Sequence, residues 1–330
     1  MITRRVDGRT SQRMGALAAA IVALVGVACS SSGSSSSTAR PSASSPTTPP
    51  VATAPPAGRH CVLGGKTTTV RYARIPGMPA NATSLDVYPQ LKRCAAPVVI
   101  WVHGGGYRFG DKTNQIAAKA RLFNDQGWIL VSANYRLTVP GDPTSAHYPD
   151  HYDDVAAAVA WVHKHIGDYG GDPTRVALLG HSAGADIVAN VASDPAYLRG
   201  QGLGLRALRC AGPLDSEGFD KVASDAGAGP DSAQWKVALG NEPDYQNVTS
   251  AVTWIHRGAG IPATISVVRG TPKRRRIEQD YLDRLAAAGV KTTKIDASRL
   301  SHMEVSTRIG APADKVMTPP LMAFLTRCFN

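Results

Sequence analysis

Two short stretches bring together the groups needed for acyl transfer to a serine. In the first, Gly180-His181-Ser182-Ala183-Gly184, a serine sits between glycines at the end of the strand-like run RVALLG. Flanking glycines let a chain turn sharply from strand into helix and push the hydroxyl outward as a nucleophile. In the second, the apolar run PVVIWV leads into His103-Gly104-Gly105-Gly106-Tyr107. Consecutive glycines leave backbone N–H groups unshielded, so together with the N–H of Ala183 they can receive the charge of a developing oxyanion. The same glycines would serve a phosphate only with Lys-Ser at a helix start or a Gly-x-Gly-x-x-Gly spacing, and neither occurs there.

Positioning these groups takes a sheet with helices around it. From about Arg59 onward, apolar runs of strand length alternate with segments of helical period, which predicts a parallel sheet covered by helices. Strands are expected at 67–75, 83–88, 97–103, 128–134, 175–180, 205–213, 262–269 and 291–297, the first two forming an antiparallel hairpin. Helices are expected at 113–126, 151–166, 183–193, 277–288 and 314–327, with Val155, Val159, Val162 and Ile166 giving one buried stripe. No internal repeat is evident, so 59–330 reads as a single catalytic domain of α/β class. The basic run Lys273 to Arg276 reads as a solvated loop.

Composition narrows the function classes. With 43% apolar and 18% charged residues among 330, the chain can bury a large core. Its formal charge of +11 comes without a nucleic-acid-binding motif, leaving at most a weak attraction to anionic lipid head groups. Residues 1–28 read as an export signal: Arg4, Arg5, Arg9 and Arg13 precede an apolar stretch from Met14 to Ala28 that is too short to cross a bilayer comfortably. The segment VGVAC is similar to the lipobox of bacterial lipoproteins, which implies a lipid-modified N-terminus at Cys29. Residues 29–58, dominated by Ser, Pro and Thr, read as a tether from the outer face of the membrane. Plain secretion is the alternative.

Four further cysteines, in an exported chain, are expected to form two disulfides. Cys61 precedes the first strand of the hairpin and Cys94 follows the second, so both sit at the same end of it; Cys210 and Cys328 would pair by default.

The order of motifs resembles the α/β-hydrolase superfamily, in particular the esterases similar to hormone-sensitive lipase and their feruloyl-esterase-like relatives. HGGGYRFGDK, then Asn134-Tyr135-Arg136-Leu137, then Pro149 and Asp154 before AAAVAWV, then GGDPTRVALLGHSAGA carry the resemblance over about Ala96 to Leu198. It implies an eight-stranded, mostly parallel sheet, oxyanion donors at Gly105, Gly106 and Ala183, and a supporting role for His103 in the glycine loop. It also implies the chain order serine, acid, histidine. His256 and His302 are then the candidate bases, and His302, after the last strand, has the family's position.

The acid departs from that pattern. Where the resembled family carries Asp after the seventh strand, in a G-T-x-D pattern, this chain reads Gly270-Thr271-Pro272-Lys273, and a cation there would disfavour an imidazolium. Asp215, at the end of the sixth strand as in pancreatic-type lipases, is the first candidate; Asp220 is second, Glu278 and Asp296 more distant. No metal or cofactor is implied. Because only the Ser/Pro tether precedes the hairpin, no large N-terminal cap is expected, and residues 215–261 could form a small lid. The expected activity is hydrolysis of short-chain or aryl esters, with an amidase or formamidase, or a binding protein disabled by Lys273, as alternatives.

Overall fold

Eight strands, the central ones Val- and Ile-rich runs that suit a pleated and buried surface, form in the computed structural model, which describes residues 64–216, 218–225, 237–239 and 245–330. The strands are β1 (Thr68–Arg71), β2 (Ser84–Tyr88), β3 (Ala96–Val102), β4 (Ile129–Ala133), β5 (Gly171–His181), β6 (Cys210–Leu214), β7 (Ala263–Val268) and β8 (Thr292–Asp296). They lie in the order β1-β2-β4-β3-β5-β6-β7-β8. β2 pairs antiparallel with β1 and β4, and the remaining neighbours are parallel. Among the described residues the helices are α1 (Ala117–Asp125), α2 (Asp150–His165), α3 (Ala183–Ser193), α4 (Pro195–Gly200), α5 (Lys221–Asp225), α6 (Tyr245–Val248), α7 (Pro272–Ala287), α8 (His302–Thr307) and α9 (Thr318–Phe329).

Every residue of β3 is buried, as a strand covered on both faces requires. Val98, Ile100 and Val102 point into a layer shared with α2 and α3, while Val99 and Trp101 point into one shared with α1 and α9. Strand order reverses between β3 and β5, and a crevice opens beyond the carboxyl ends of strands at such a switch point. The two motif loops, one after β3 and one after β5, therefore emerge side by side.

Local chemistry moves several boundaries from their expected places. α1 starts at Ala117 rather than 113, because Asp111 accepts the Thr113 N–H (2.9 Å) and hydroxyl (2.7 Å) in a turn that opposes helix. Leu205–Ala207 is a 3-10 turn, so β6 is shorter than expected. The basic run is not a solvated loop but the first turn of α7: Thr271 accepts the Arg274 N–H at 3.2 Å as N-cap, and Pro272 occupies a first-turn position.

The expected Cys210–Cys328 disulfide is absent. Both are free, buried thiols that touch one another in the α1/α9 layer, where they pack as small apolar groups. Burial pushes the Cys210 thiol far up, suppressing the thiolate that oxidation requires. Cys94 is disulfide-bonded; its expected partner Cys61 lies outside the described residues, as do the signal segment 1–28, the tether 29–58 and Cys29. No helix among the described residues is long and apolar enough to cross a membrane.

Candidate active site

Ser182 occupies the turn between β5 and α3 with φ 59° and ψ −123°, a strained backbone for a residue with a side chain. The turn closes only because its flanks are glycine: a Cβ on Gly180 would lie 2.4 Å from the Gly184 carbonyl oxygen, and one on Gly184 would lie 2.4 Å from that of Val102. His302 is the first residue of α8. Its helix start is fixed by a capping box in which the Ser301 side chain and Glu304 satisfy each other's backbone N–H groups.

These elements bring Ser182, His302 and Asp215 into one hydrogen-bonded chain. His302 Nε2 lies 2.8 Å from Ser182 Oγ, and His302 Nδ1 lies 2.7 Å from Asp215 Oδ2. Asp215, directly after β6, is fully buried with φ 71°. Burial alone would raise its pKa. The opposing effects win: the His302 hydrogen bond, then the charges of Arg274, His302 and Arg269, hold the carboxyl well below the usual range. Such a chain can take a proton from the serine hydroxyl and hold the resulting imidazolium against a carboxylate that stays ionised.

The other candidates sit elsewhere. Asp220 accepts the Ala223 N–H at 2.9 Å at the start of α5, and Asp296 accepts the Ser298 N–H at 3.0 Å in a surface turn. His256 is exposed, with Nδ1 3.2 Å from the Arg257 carbonyl oxygen. Glu278 is buried against Arg269 and Arg274. The ammonium of Lys273 donates to the Ser224 carbonyl, tying α7 to the end of α5.

Gly104 and Gly105 line the same cavity as Ser182 and His302, a space of about 300 Å³ that also meets Trp101, Phe109, Gln115, Met303 and Ser306. A Cβ on Gly104 would lie 2.9 Å from Ser182 Cβ, so the glycine loop can pass over the hydroxyl only without a side chain there. Gly105 (φ 128°) and Gly106 (φ 58°) have positive φ, and Ala183 is the first residue of α3. Gly104→Ala is expected to lower kcat for an ester about 10²- to 10³-fold by displacing the N–H donors, checked by steady-state kinetics with the variant's Tm as control.

His103 is buried, donates from Nδ1 to the Gly104 carbonyl at 2.8 Å and stacks on Tyr135 at 4.5 Å, which stiffens the glycine loop. Three residues that the sequence did not single out brace the site. His181 donates from Nε2 to the His302 carbonyl at 2.8 Å, and its ring lies 4.6 Å from that of His302. Burial, then the His302 charge, lowers its pKa to about 4, so it stays neutral. Lys119, fully buried and lowered to about 7 by burial, donates to the carbonyls of Ser306 (2.9 Å) and Gln115 (3.0 Å) and so ties α8 to α1. Asp186, one turn after Ser182, accepts from Lys221 Nζ at 2.8 Å, from the Tyr152 hydroxyl at 2.8 Å and from the Tyr107 hydroxyl. It thereby links the nucleophile helix to the glycine loop. A histidine in a free motif position and an Asp one turn further on were visible signals; the lysine carried none.

His181, Asp215 and His302 also offer three donor atoms within 4.8 Å of one another. They do not fit a cation: Asp215 already faces two guanidiniums, and His181 Nε2 is spent on a carbonyl.

Residues 51–200 match the model of the carboxylesterase family. The carboxylesterase NlhH of Mycobacterium tuberculosis is 28% identical over 277 residues, covering 79% of this chain and 82% of that protein. Two other proteins of that organism, the probable carboxylic ester hydrolase LipM (36% over 130 residues) and the esterase LipQ (34% over 160), are matched over 38% and 47% of this chain. The chain spans only 29% and 36% of their lengths. Among solved structures, one titled a bacterial heroin esterase superposes with a TM-score of 0.63 at 20% identity, covering 80% of this chain and 84% of that one. Another, titled an arylesterase, gives 0.61 at 21%, covering 81% and 86%. The chain has the α/β-hydrolase fold. Within that fold β5, a sharp turn and α3 carry Ser182, and the departure from the resembled pattern is the acid's position after β6.

Proposed function

We propose that this α/β-hydrolase is a serine carboxylesterase acting on short-chain or aryl carboxylic esters. The observation that carries the reading is the Ser182–His302–Asp215 hydrogen-bond chain opening into a cavity walled by the glycine loop. His302 takes the Ser182 proton as Oγ attacks the ester carbonyl. The oxyanion is received by N–H groups of Gly105, Gly106 and Ala183. Protonated His302 then gives its proton to the departing alcohol, leaving an acyl-serine. Water, deprotonated by His302, attacks that acyl group, and the carboxylic acid leaves as Ser182 regains its proton.

The exposed side chains of Phe109 and Met303 at the cavity rim support an aryl or compact apolar group, and the small cavity supports a short acyl chain. Placement at the cell envelope, exported and lipid-anchored at Cys29 or secreted, rests on the N-terminal sequence. The test is hydrolysis of p-nitrophenyl esters from acetate to dodecanoate, with Ser182→Ala as the blank. Highest kcat/KM on the short acyl esters is expected. A wild-type rate no greater than the blank, or one that keeps rising to dodecanoate, overturns the reading.

A further inference from the structure

The carboxylate of Asp215 meets far more positive charge than one imidazole supplies. Arg269, immediately after β7, places Nη1 3.0 Å from both Asp215 oxygens. Arg274, in the first turn of α7, places Nη2 2.6 Å from Oδ1. Both arginines flank the 270–273 stretch, where the resembled family places its own acid. Here the charges are exchanged: the carboxylate stands after β6 and the cations stand after β7.

The arginines are themselves held. Arg269 donates from Nε to the Leu300 carbonyl at 3.1 Å, in the loop leading to His302, and its backbone N–H donates to Glu278 Oε2 at 2.7 Å. Arg274 donates from Nε to Glu278 Oε1 at 3.1 Å. Only Oδ2 of Asp215 faces His302, and rotation of the carboxylate would break a guanidinium contact on either side.

Resting on the serine-esterase reading above, we propose that Arg269 and Arg274 are positioning residues of the reaction. They lock Asp215 so that Oδ2 points at His302 Nδ1. The clamp works through its geometry: Arg269 bridges both carboxylate oxygens, Arg274 holds Oδ1, and Glu278 holds the Arg274 guanidinium in turn. A lysine at 274 keeps the charge but loses the planar fork.

The test compares wild type, Arg274→Gln and Arg274→Lys in the full chain. One readout is kcat and KM on p-nitrophenyl acetate, taken separately. The other is the proton NMR signal of His302 Nδ1–H, whose downfield position reports the hydrogen bond to Asp215 and needs no turnover. Both variants are expected to lower kcat about tenfold or more with KM little changed, because a misplaced orienting group is felt in the transition state, and to move the Nδ1 proton upfield. If Arg274→Gln does not fold, shown by the loss of its thermal transition, Arg269→Gln carries the same expectation. A kcat and an Nδ1 signal in the Gln variant that coincide with wild type overturn the proposal and leave the arginines with a structural role alone, and recovery of both in Arg274→Lys overturns the clamp's dependence on the planar fork. A wild type that shows the downfield signal but hydrolyses no ester defeats the esterase reading instead.

Discussion

Asp215→Asn is expected to lower kcat for p-nitrophenyl acetate about 10⁴-fold, the usual consequence of losing a triad acid. The amide can still fill the space. It cannot hold the tautomer in which His302 Nδ1 donates at 2.7 Å, nor balance an imidazolium. The change also leaves Arg269 and Arg274 facing a neutral group in a buried setting, so a lowered Tm accompanies it. Measuring kcat and Tm on the same preparation separates the two effects, because a folded population that is merely smaller loses activity in proportion. Asp220→Asn is the matched control, since Asp220 caps the start of α5, and its kcat should stay near wild type. Equal losses in the two variants would place the acid elsewhere.

Ser182→Ala is expected to cost more, about 10⁶-fold in kcat, because the covalent route disappears altogether. The remaining rate comes from binding and from the N–H groups of the glycine loop acting on attack by water. Its backbone strain makes a second effect measurable. A residue held at φ 59° between two obligatory glycines is under constraint from its surroundings, so the alanine variant should keep the wild-type fold with Tm little changed. Activity loss with an intact thermal transition is the expected result.

Much of this arrangement is legible in the sequence, for identifiable reasons. The sheet was visible because β3, β4 and β5 are apolar runs of strand length separated by helical periods. Two Gly-rich turns after strand-like runs point to a shared oxyanion site, and the structure joins them because β3 and β5 adjoin across a switch point. Asp215 is reachable as a candidate only because the resembled family's usual position holds Lys273 here, which removes the competing choice.

What escaped the sequence depends on contacts between distant residues. A run of four basic residues looks solvated, but α7 starts at Pro272, and the helical turn aims Arg274 inward while Arg275 and Arg276 stay exposed. The Thr-Pro pair that fixes this start was in plain sight. Short α8 was missed although Ser301 and Glu304 spell a capping box, because six residues carry no apolar period. The expected Cys210–Cys328 bond failed for another reason: two thiols can adjoin in a core and remain reduced, and spacing along the chain says nothing of that.

The central claim is that Ser182 is a nucleophile activated by His302. Exposing the folded chain to a fluorophosphonate and mapping the adduct by peptide mass spectrometry tests it without assuming a substrate. One phosphonyl group on the peptide carrying Ser182, formed slowly or not at all in His302→Ala, is the predicted result. Failure of folded wild type to label, or labelling on a different residue at undiminished rate in Ser182→Ala, would contradict the account.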